Sequence, residues 1–210
     1  MPFDFKKEYR EFYQPKSVPV IVDIPRMSYV AVRGSGDPNE QGGAYQKAIS
    51  VLYGISYTIK MSYKGDHRIE GFFEYVVPPL EGLWQQKGVS GVDLSHKSGF
   101  DWVSLIRLPD FVSEADFEWA AREVGRKKGI DCSAAEFLTI DEGLCVQIMH
   151  IGSYDSEPQS VALMDKFLAE KGYVNDISAA RPHHEIYLSD PNKTVPDKRK
   201  TVIRHPIKTV

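Results

Sequence analysis

The residues best suited to chemistry are carboxylates set among histidines and aromatic rings. In His183-His184-Glu185-Ile186-Tyr187-Leu188, strand alternation puts Ile186 and Leu188 on one face, under helices, and His183, Glu185 and Tyr187 on the other. In Phe72-Phe73-Glu74-Tyr75-Val76-Val77 the greasier set is Phe73, Tyr75 and Val77, which leaves Phe72, Glu74 and Val76 for the open face and pairs Glu74 with Glu185 as pseudo-equivalents. A register shift of one residue exchanges Phe73 and Tyr75 into that place, and the pattern alone leaves both registers open. A carboxylate walled by rings is partly desolvated, which raises its proton affinity and suits it to activate water or to hold a cation. The competing reading of Glu185 and Glu74 is an exposed carboxylate on a solvated strand face.

Rings are plentiful: the chain carries 3 Trp, 11 Tyr and 10 Phe, enough to wall a site as well as fill a core. Trp84 falls in the segment after Pro78-Pro79, Trp102 opens a strand, and Tyr57 lies one helical turn beyond Tyr53. Flat walls of this kind suit flat or cationic guests, at about 0.5 to 2 kcal/mol per stacking or cation-π contact. Core packing is the alternative for each ring taken singly.

Other motifs fail on their own spacing. Gly34-Ser35-Gly36 follows a strand and precedes a helix, but Pro38 and Asn39 break the dinucleotide fingerprint. His183-His184-Glu185 has the form H-x-E of zinc deaminases without the P-C-x-x-C that completes them, so no metal site is expected, and no cofactor. There is no G-x-S-x-G, H-E-x-x-H or phosphate-binding loop. Cys132 and Cys145 belong to no C-x-x-C pair, and Cys145 sits in an alternating apolar segment, so both read as structural thiols.

The elements that would position these residues come in a repeated order. A short apolar run at 18–24 is followed by a strand at 27–33 that ends in Gly34-Ser35-Gly36-Asp37-Pro38. A helix over about 43–64 carries apolar residues at three- and four-residue steps, then strands are predicted at 72–77 and 102–108 on either side of Pro78-Pro79. A helix opens at Ser113 with Asp116 three residues on. Strand 144–151, ending in Gly152-Ser153-Tyr154-Asp155, helix 158–171 and strands 185–188 and 201–205 repeat the order βαββ. Gly34-Ser35-Gly36-Asp37 answers Gly152-Ser153-Tyr154-Asp155, and Ile106-Arg107-Leu108-Pro109 answers Ile203-Arg204-His205-Pro206. The fold class is therefore α+β: one domain spanning 1–210, made of two βαββ halves (about 17–112 and 136–208) joined by a helical insertion at about 113–128. Their sheets merge about a pseudo-twofold with helices on one face, and a ligand groove is expected on the other.

Composition bounds the partners. With 26 Lys+Arg against 29 Asp+Glu the net charge is -3, so no overall field draws phosphate, and the basic stretch at 193–204 reads as a solvated hairpin rather than a nucleic-acid site. No run approaches the roughly 18 apolar residues of a membrane span, and the start of the chain lacks the apolar core of an export signal, so a cytoplasmic location without membrane or nucleic-acid partners is expected. Nothing in the residues fixes the oligomeric state.

The βαββ tandem, the loop Val77-Pro78-Pro79-Leu80-Glu81-Gly82-Leu83-Trp84 and the endings His184-Glu185-Ile186-Tyr187-Leu188-Ser189-Asp190-Pro191 and Ile203-Arg204-His205-Pro206 resemble the stand-alone GyrI-like small-molecule-binding proteins over about 17–208. The resemblance implies the SHS2/GyrI-like architecture and a groove with a central acidic residue, matched by Glu185, that meets cationic or flat aromatic ligands. The relatives include ligand-binding domains of multidrug-sensing regulators and a gyrase-inhibitory protein, but this chain shows no helix-turn-helix segment. The sequence is similar to a subfamily of cofactor-independent hydrolases of cyclopropanoid DNA-alkylating toxins. That similarity implies an aromatic cage; strand and helix placement, not a matched motif, offers Tyr57, Phe72, Trp84, Trp102 and Tyr187 with His183 for it, water being held by Glu185 or Glu74 and the oxyanion met by a donor such as Tyr57 or Tyr187. A sequestering protein without turnover, or an inhibitor of a larger enzyme, remains open beside it.

Overall fold

The computed structural model describes residues 1–86, 88 and 97–210. An N-terminal segment of β1 (Phe3–Asp4), α1 (Phe5–Glu8) and α2 (Arg10–Tyr13) leads into β2 (Val20–Ile24). The first half then contains β3 (Met27–Ser35), α3 (Ala44–Lys60), β4 (Tyr75–Val76), β5 (Leu80–Gln86) and β6 (Phe100–Arg107). After α4 (Glu114–Lys128) and β7 (Ala135–Ile140), the second half contains β8 (Gly143–Ile151), α5 (Glu157–Lys171), β9 (Tyr173–Asn175), β10 (His183–Tyr187) and β11 (Lys200–Thr209).

One antiparallel sheet runs through both halves in the order β2-β8-β11-β10-β5-β6-β3-β7, with β9 added to the end of β11. Its centre is the β10–β5 pair, and outward from that seam the neighbours correspond: β11 to β6 and β8 to β3. The registers of the two ladders correspond. Val30 faces Ile106 four residues before Gly34, and Ile148 faces Ile203 four residues before Gly152, so the two sequence echoes sit at matching places in matching ladders.

The first half departs from expectation after α3. Residues 72–77 supply only β4, which pairs in parallel with β1 in a separate two-stranded sheet. The strand that joins the main sheet is β5, beginning just after Pro78-Pro79. Successive prolines have no N–H to give a ladder, so the segment before them cannot continue into the sheet and the segment after them can. Leu80, not Glu74, therefore stands opposite Ile106 where Glu185 stands opposite Ile203.

The sheet also curls. Ile24 and Met27 belong to strands in opposite wings yet only Pro25 and Arg26 join them, and Asp141 and Glu142 link β7 to β8 in the same way. Three Cα steps reach about 11 Å at most, so the wings must approach one another. The inner surface carries an apolar cluster that includes Met27, Tyr29, Leu83, Leu105 and Cys145. It also carries an ionic network: His184 meets Glu81 and Glu142 at 2.9 Å each, and Arg204 meets Glu142 at 2.9 Å. Burial alone would drive His184 down, but Glu142 and Glu81 hold it up to about 9; burial would raise Glu142, but His184 and Arg204 hold it down to about 2. The N-terminal segment covers this inner face: Arg204 donates to the carbonyl of Phe12, and Phe5 and Tyr13 pack on Ile186.

Helices cover the outer surface. The buried side of α3, including Leu52, Ile55 and Ile59, packs with α4 against Val30, Ile106 and Leu108, while Met164 and Leu168 of α5 pack on Val146, Ile148 and Ile203. Such buried aliphatic side chains contribute about 1.5 to 3 kcal/mol each. The start of α4 is held by a reciprocal cap between Ser113 and Asp116, and its end by Gly129 at φ 65°, a left-handed backbone that favours glycine. Among the described residues no helix is long and apolar enough to cross a membrane.

Candidate functional site

A hollow of about 1280 Å³ opens over the central seam on the helix-bearing side, between α3 and the start of α5. This is the opposite side of the sheet from the one the sequence pattern suggested. The alternation itself holds, with His183, Glu185 and Tyr187 on one face. Ile186 lies not under a helix but under the N-terminal segment, packed with Phe5 and Tyr13. Two helices spaced along a duplicated sheet leave the seam between them uncovered, and that gap is the hollow.

Its base is a chain of hydrogen bonds along β10 and β5. Glu185, 6% exposed, accepts from Tyr187 Oη at Oε2 (2.8 Å) and pairs through Oε1 with His183 Nε2 (2.9 Å). Tyr187 Oη in turn accepts from Trp84 Nε1 at 2.8 Å. Behind Glu185, His183 Nδ1 lies 2.7 Å from His205 Nε2, its direct neighbour across the β10–β11 ladder. Facing the Glu185 carboxylate, His183 donates through Nε2; its Nδ1 and His205 Nε2 share one hydrogen bond whose direction follows the tautomers, and the buried Nδ1 of His205 has no partner. Burial and the neighbouring His183 hold His205 well below the usual histidine range, in the neutral form.

Glycine 82 makes the chain possible. It faces Glu185 across the seam, and a Cβ there would stand 2.6 Å from Trp84 Nε1 and 2.9 Å from Tyr187 Oη. A side chain at this position would occupy the space in which indole and phenol meet.

The second carboxylate of the site was not evident from spacing. Glu157, the first residue of α5 and 4% exposed, hydrogen-bonds Glu185, and its Oε1 has no partner. Burial, then the charge of Glu185, raise it well above the usual carboxylate range. Glu157, His183 and Glu185 each bring one donor atom within 4.8 Å of the others, a set that could hold a metal ion and that no sequence motif displays.

Aromatic walls complete the hollow. Tyr45, Ile49, Tyr53 and Tyr57, four residues apart in turn, line the face of α3 turned toward it. Tyr45 packs 5.5 Å from Trp84, Tyr53 stacks on Tyr57 at 6.2 Å, and Tyr154 meets Tyr187 edge-on at 6.1 Å. The guanidinium of Arg199 lies 5.3 Å from the Tyr154 ring centroid.

The site therefore assembles Glu185, Tyr187, Trp84 and Tyr57 of the residues singled out by pattern, with His183 touching Glu185 from behind. Trp84 stands on a strand rather than in a loop. Trp102 is one layer back: 3% exposed, it lies edge-on to Tyr45 at 5.1 Å and covers Gly34, where a Cβ would come within 2.3 Å of its ring. Phe72 packs with Tyr63 and Phe111 away from the hollow, and Glu74 is exposed beside β1, because both precede the prolines that bar their segment from the sheet. Tyr154 had a visible signal, since it replaces Gly36 between the two otherwise matching Gly-Ser-x-Asp turns. Glu157 had none, because its partnership with Glu185 crosses from a helix start to a distant strand.

Comparison with known proteins agrees with this architecture. A model of the GyrI-like small molecule binding domain matches residues 17–208. A crystal structure of a hydrolase from Listeria innocua is 43% identical with a TM-score of 0.89, covering 98% of this chain and 100% of that one. A second L. innocua hydrolase is 45% identical with a TM-score of 0.90, covering 99% and 100%. The C-terminal domain of EcmrR, at 14% identity and a TM-score of 0.57 over 91% and 98% of the chains, shares the fold alone. No curated protein matches. The ladder register, the seam hollow and the domain match agree: the chain belongs to the GyrI-like small molecule binding domain family.

Proposed function

We propose that the protein is a hydrolase of small, flat xenobiotics, with cyclopropane-bearing alkylating toxins as the substrate class. The observation that carries this reading is the setting of Glu185. It is a buried carboxylate at the foot of a ring-walled hollow, held by two partners, His183 and Tyr187, and bordering the cavity. A carboxylate offers about four lone-pair directions. His183, Tyr187 and Glu157 occupy three, leaving one to take a proton from water. The two similar L. innocua proteins named hydrolases support the reading.

In this mechanism the planar substrate lies between Tyr45, Trp84 and Tyr57, with its strained ring over Glu185. Water attacks the cyclopropane methylene, and its proton passes to Glu185. The ring C–C bond breaks and its electron pair runs through the conjugated system to the carbonyl, which becomes a phenolate and takes up a proton to give the phenol. Hydroxyl donors along the wall stabilise the developing oxyanion, and exclusion of water by the rings strengthens each polar contact. Neither a covalent intermediate nor a resident cofactor enters these steps.

The test is product formation with a spirocyclopropyl dienone supplied in several-fold excess. Ring-opened alcohol accumulating beyond one equivalent supports hydrolysis, while a plateau at one equivalent means sequestration only. Glu185→Gln keeps the shape and removes the base, and is expected to lower kcat about 10²- to 10⁴-fold with the fold intact. Unchanged turnover would remove Glu185 from the mechanism.

A further inference from the structure

A duplicated chain would give the hollow two matching ends, and its ends differ. Trp102 stands opposite Gly34 on the ladder of the first half; in the second half the carbonyl of Arg199 accepts from the N–H of Gly152 at 3.0 Å, so Arg199 holds the place of Trp102. In the matching Gly-Ser-x-Asp turns, Tyr154 holds the place of Gly36. One half thus offers an indole and a bare turn where the other offers a guanidinium and a phenol. Tyr154 and Arg199 both line the hollow, each half-buried.

The two are built as a pair. The Arg199 guanidinium, 5.3 Å from the Tyr154 ring centroid, is fixed by donating to the carbonyls of Thr194 at 3.3 Å and Pro191 at 3.0 Å. Among the described residues no carboxylate lies within 4.0 Å of it, so its charge is left to act on this end of the hollow. Tyr187 spends its hydroxyl on Glu185, whereas the Tyr154 hydroxyl has no hydrogen-bond partner among the described residues. Burial raises that hydroxyl above the usual phenol range, with Arg199 drawing it the other way, so near pH 7 it is protonated and can donate.

We propose that Tyr154 and Arg199 form a seat for a ketone oxygen: the Tyr154 hydroxyl, on a ring braced by Arg199, donates to the carbonyl of a flat guest and fixes which way round the guest lies. The proposal rests on the hollow being a ligand site and deepens the hydrolase reading. Tyr154 touches the substrate, and Arg199 is a positioning residue. The oxygen seated here is the one that receives the electron pair when the ring C–C bond breaks, so the hydrogen bond strengthens as charge develops; Tyr154 keeps its proton and the phenolate takes one from solvent. Asp155 and Glu157 follow in the same turn, and without Arg199 an oxyanion there would meet like charge. Tyr154 lies edge-on to Tyr187 at 6.1 Å and Tyr187 touches Glu185, so base and seat stand about one ring's width apart, as do the strained carbon and the carbonyl of a dienone.

The test uses two flat guests that differ in one oxygen, 9-fluorenone and fluorene. The ratio of their affinities is expected to fall about 3- to 10-fold in Tyr154→Phe, which removes the hydroxyl and keeps the ring. The carbonyl stretch of bound fluorenone is expected at lower frequency in the native protein than in this variant, a signature that a merely structural role would not move. Arg199→Met is expected to lower the ratio as well, and Arg199→Lys, which keeps a cation for the ring, to restore it. With the dienone, Tyr154→Phe is expected to lower kcat about 10²-fold and to raise KM by much less. A native affinity ratio and a native carbonyl frequency in Tyr154→Phe overturn the seat while leaving the hollow a ligand site. A native ratio in Arg199→Met removes Arg199 from it. Failure of both guests to bind the native protein overturns the ligand-site reading itself, and the expected ratios without dienone turnover overturn the hydrolase reading while the seat stands.

Discussion

Replacing Gly82 by alanine adds one methyl group and removes no functional group, yet it should disconnect the site. The added carbon would fall 2.6 Å from Trp84 Nε1 and 2.9 Å from Tyr187 Oη, well inside van der Waals contact, so one of the two rings must move. Either movement breaks the bond from Trp84 to Tyr187, and movement of the phenol also breaks the bond from Tyr187 to Glu185. Overpacking in a filled interior costs about 1 to 3 kcal/mol, and loss of a hydrogen bond to a charged acceptor costs about 1.5 to 3 kcal/mol more. The expected total of about 3 to 5 kcal/mol corresponds to a fall in Tm of ~10 °C for a chain of this size. A larger fractional effect is expected on turnover, since Glu185 loses one of the donors that orient it. The assays are thermal unfolding by circular dichroism, indole fluorescence to report Trp84, and turnover of the dienone at a temperature where the variant is folded. Native turnover and a native Tm in Gly82→Ala would refute the reasoning, because the close approach would then be accommodated without cost.

Further outcomes are expected elsewhere in the molecule. Tyr57→Ala should weaken affinity for a flat ligand several-fold with little change in unfolding free energy, because the ring is 48% exposed on the wall of the hollow; Phe72→Ala should do the reverse, and ligand titration with denaturant unfolding separates the two. The His184 imidazole should titrate near 9 by NMR rather than near its ordinary 6.5, and a value near 6.5 would deny the Glu142 and Glu81 contacts their effect. Because its folded value is raised, its contribution is complete below pH 6.5 and fades as pH climbs through about 9, a loss of about 3 kcal/mol. Glu142, depressed to about 2 from 4.5, contributes fully above pH 4.5 and fades as pH falls through about 2, so together the two favour the fold most between pH 4.5 and 6.5.

Sequence alone determined what local chemistry can decide. Alternation along His183-His184-Glu185-Ile186-Tyr187 fixes which side chains share a face, because the period of a strand is two wherever the strand lies. The Ser113–Asp116 cap, the turns at Gly34 and Gly152, and the repeated βαββ order follow from signals a few residues long, and they were enough to place Glu185 and Tyr187 side by side. What they could not decide was which surface those faces would meet. The two-residue links 25–26 and 141–142 draw the sheet's wings together, so the face opposite the helices closes over the His184–Glu142–Arg204 network and the open site moves to the seam between α3 and α5. Glu74 lost its expected place because Pro78-Pro79 passes the ladder to β5, and strand choice is a competition among segments for long-range partners. Glu157 entered for the same reason: it lies beside a residue 28 positions away in the chain, and only the packing of α5 on the second half's sheet brings the two carboxyls together.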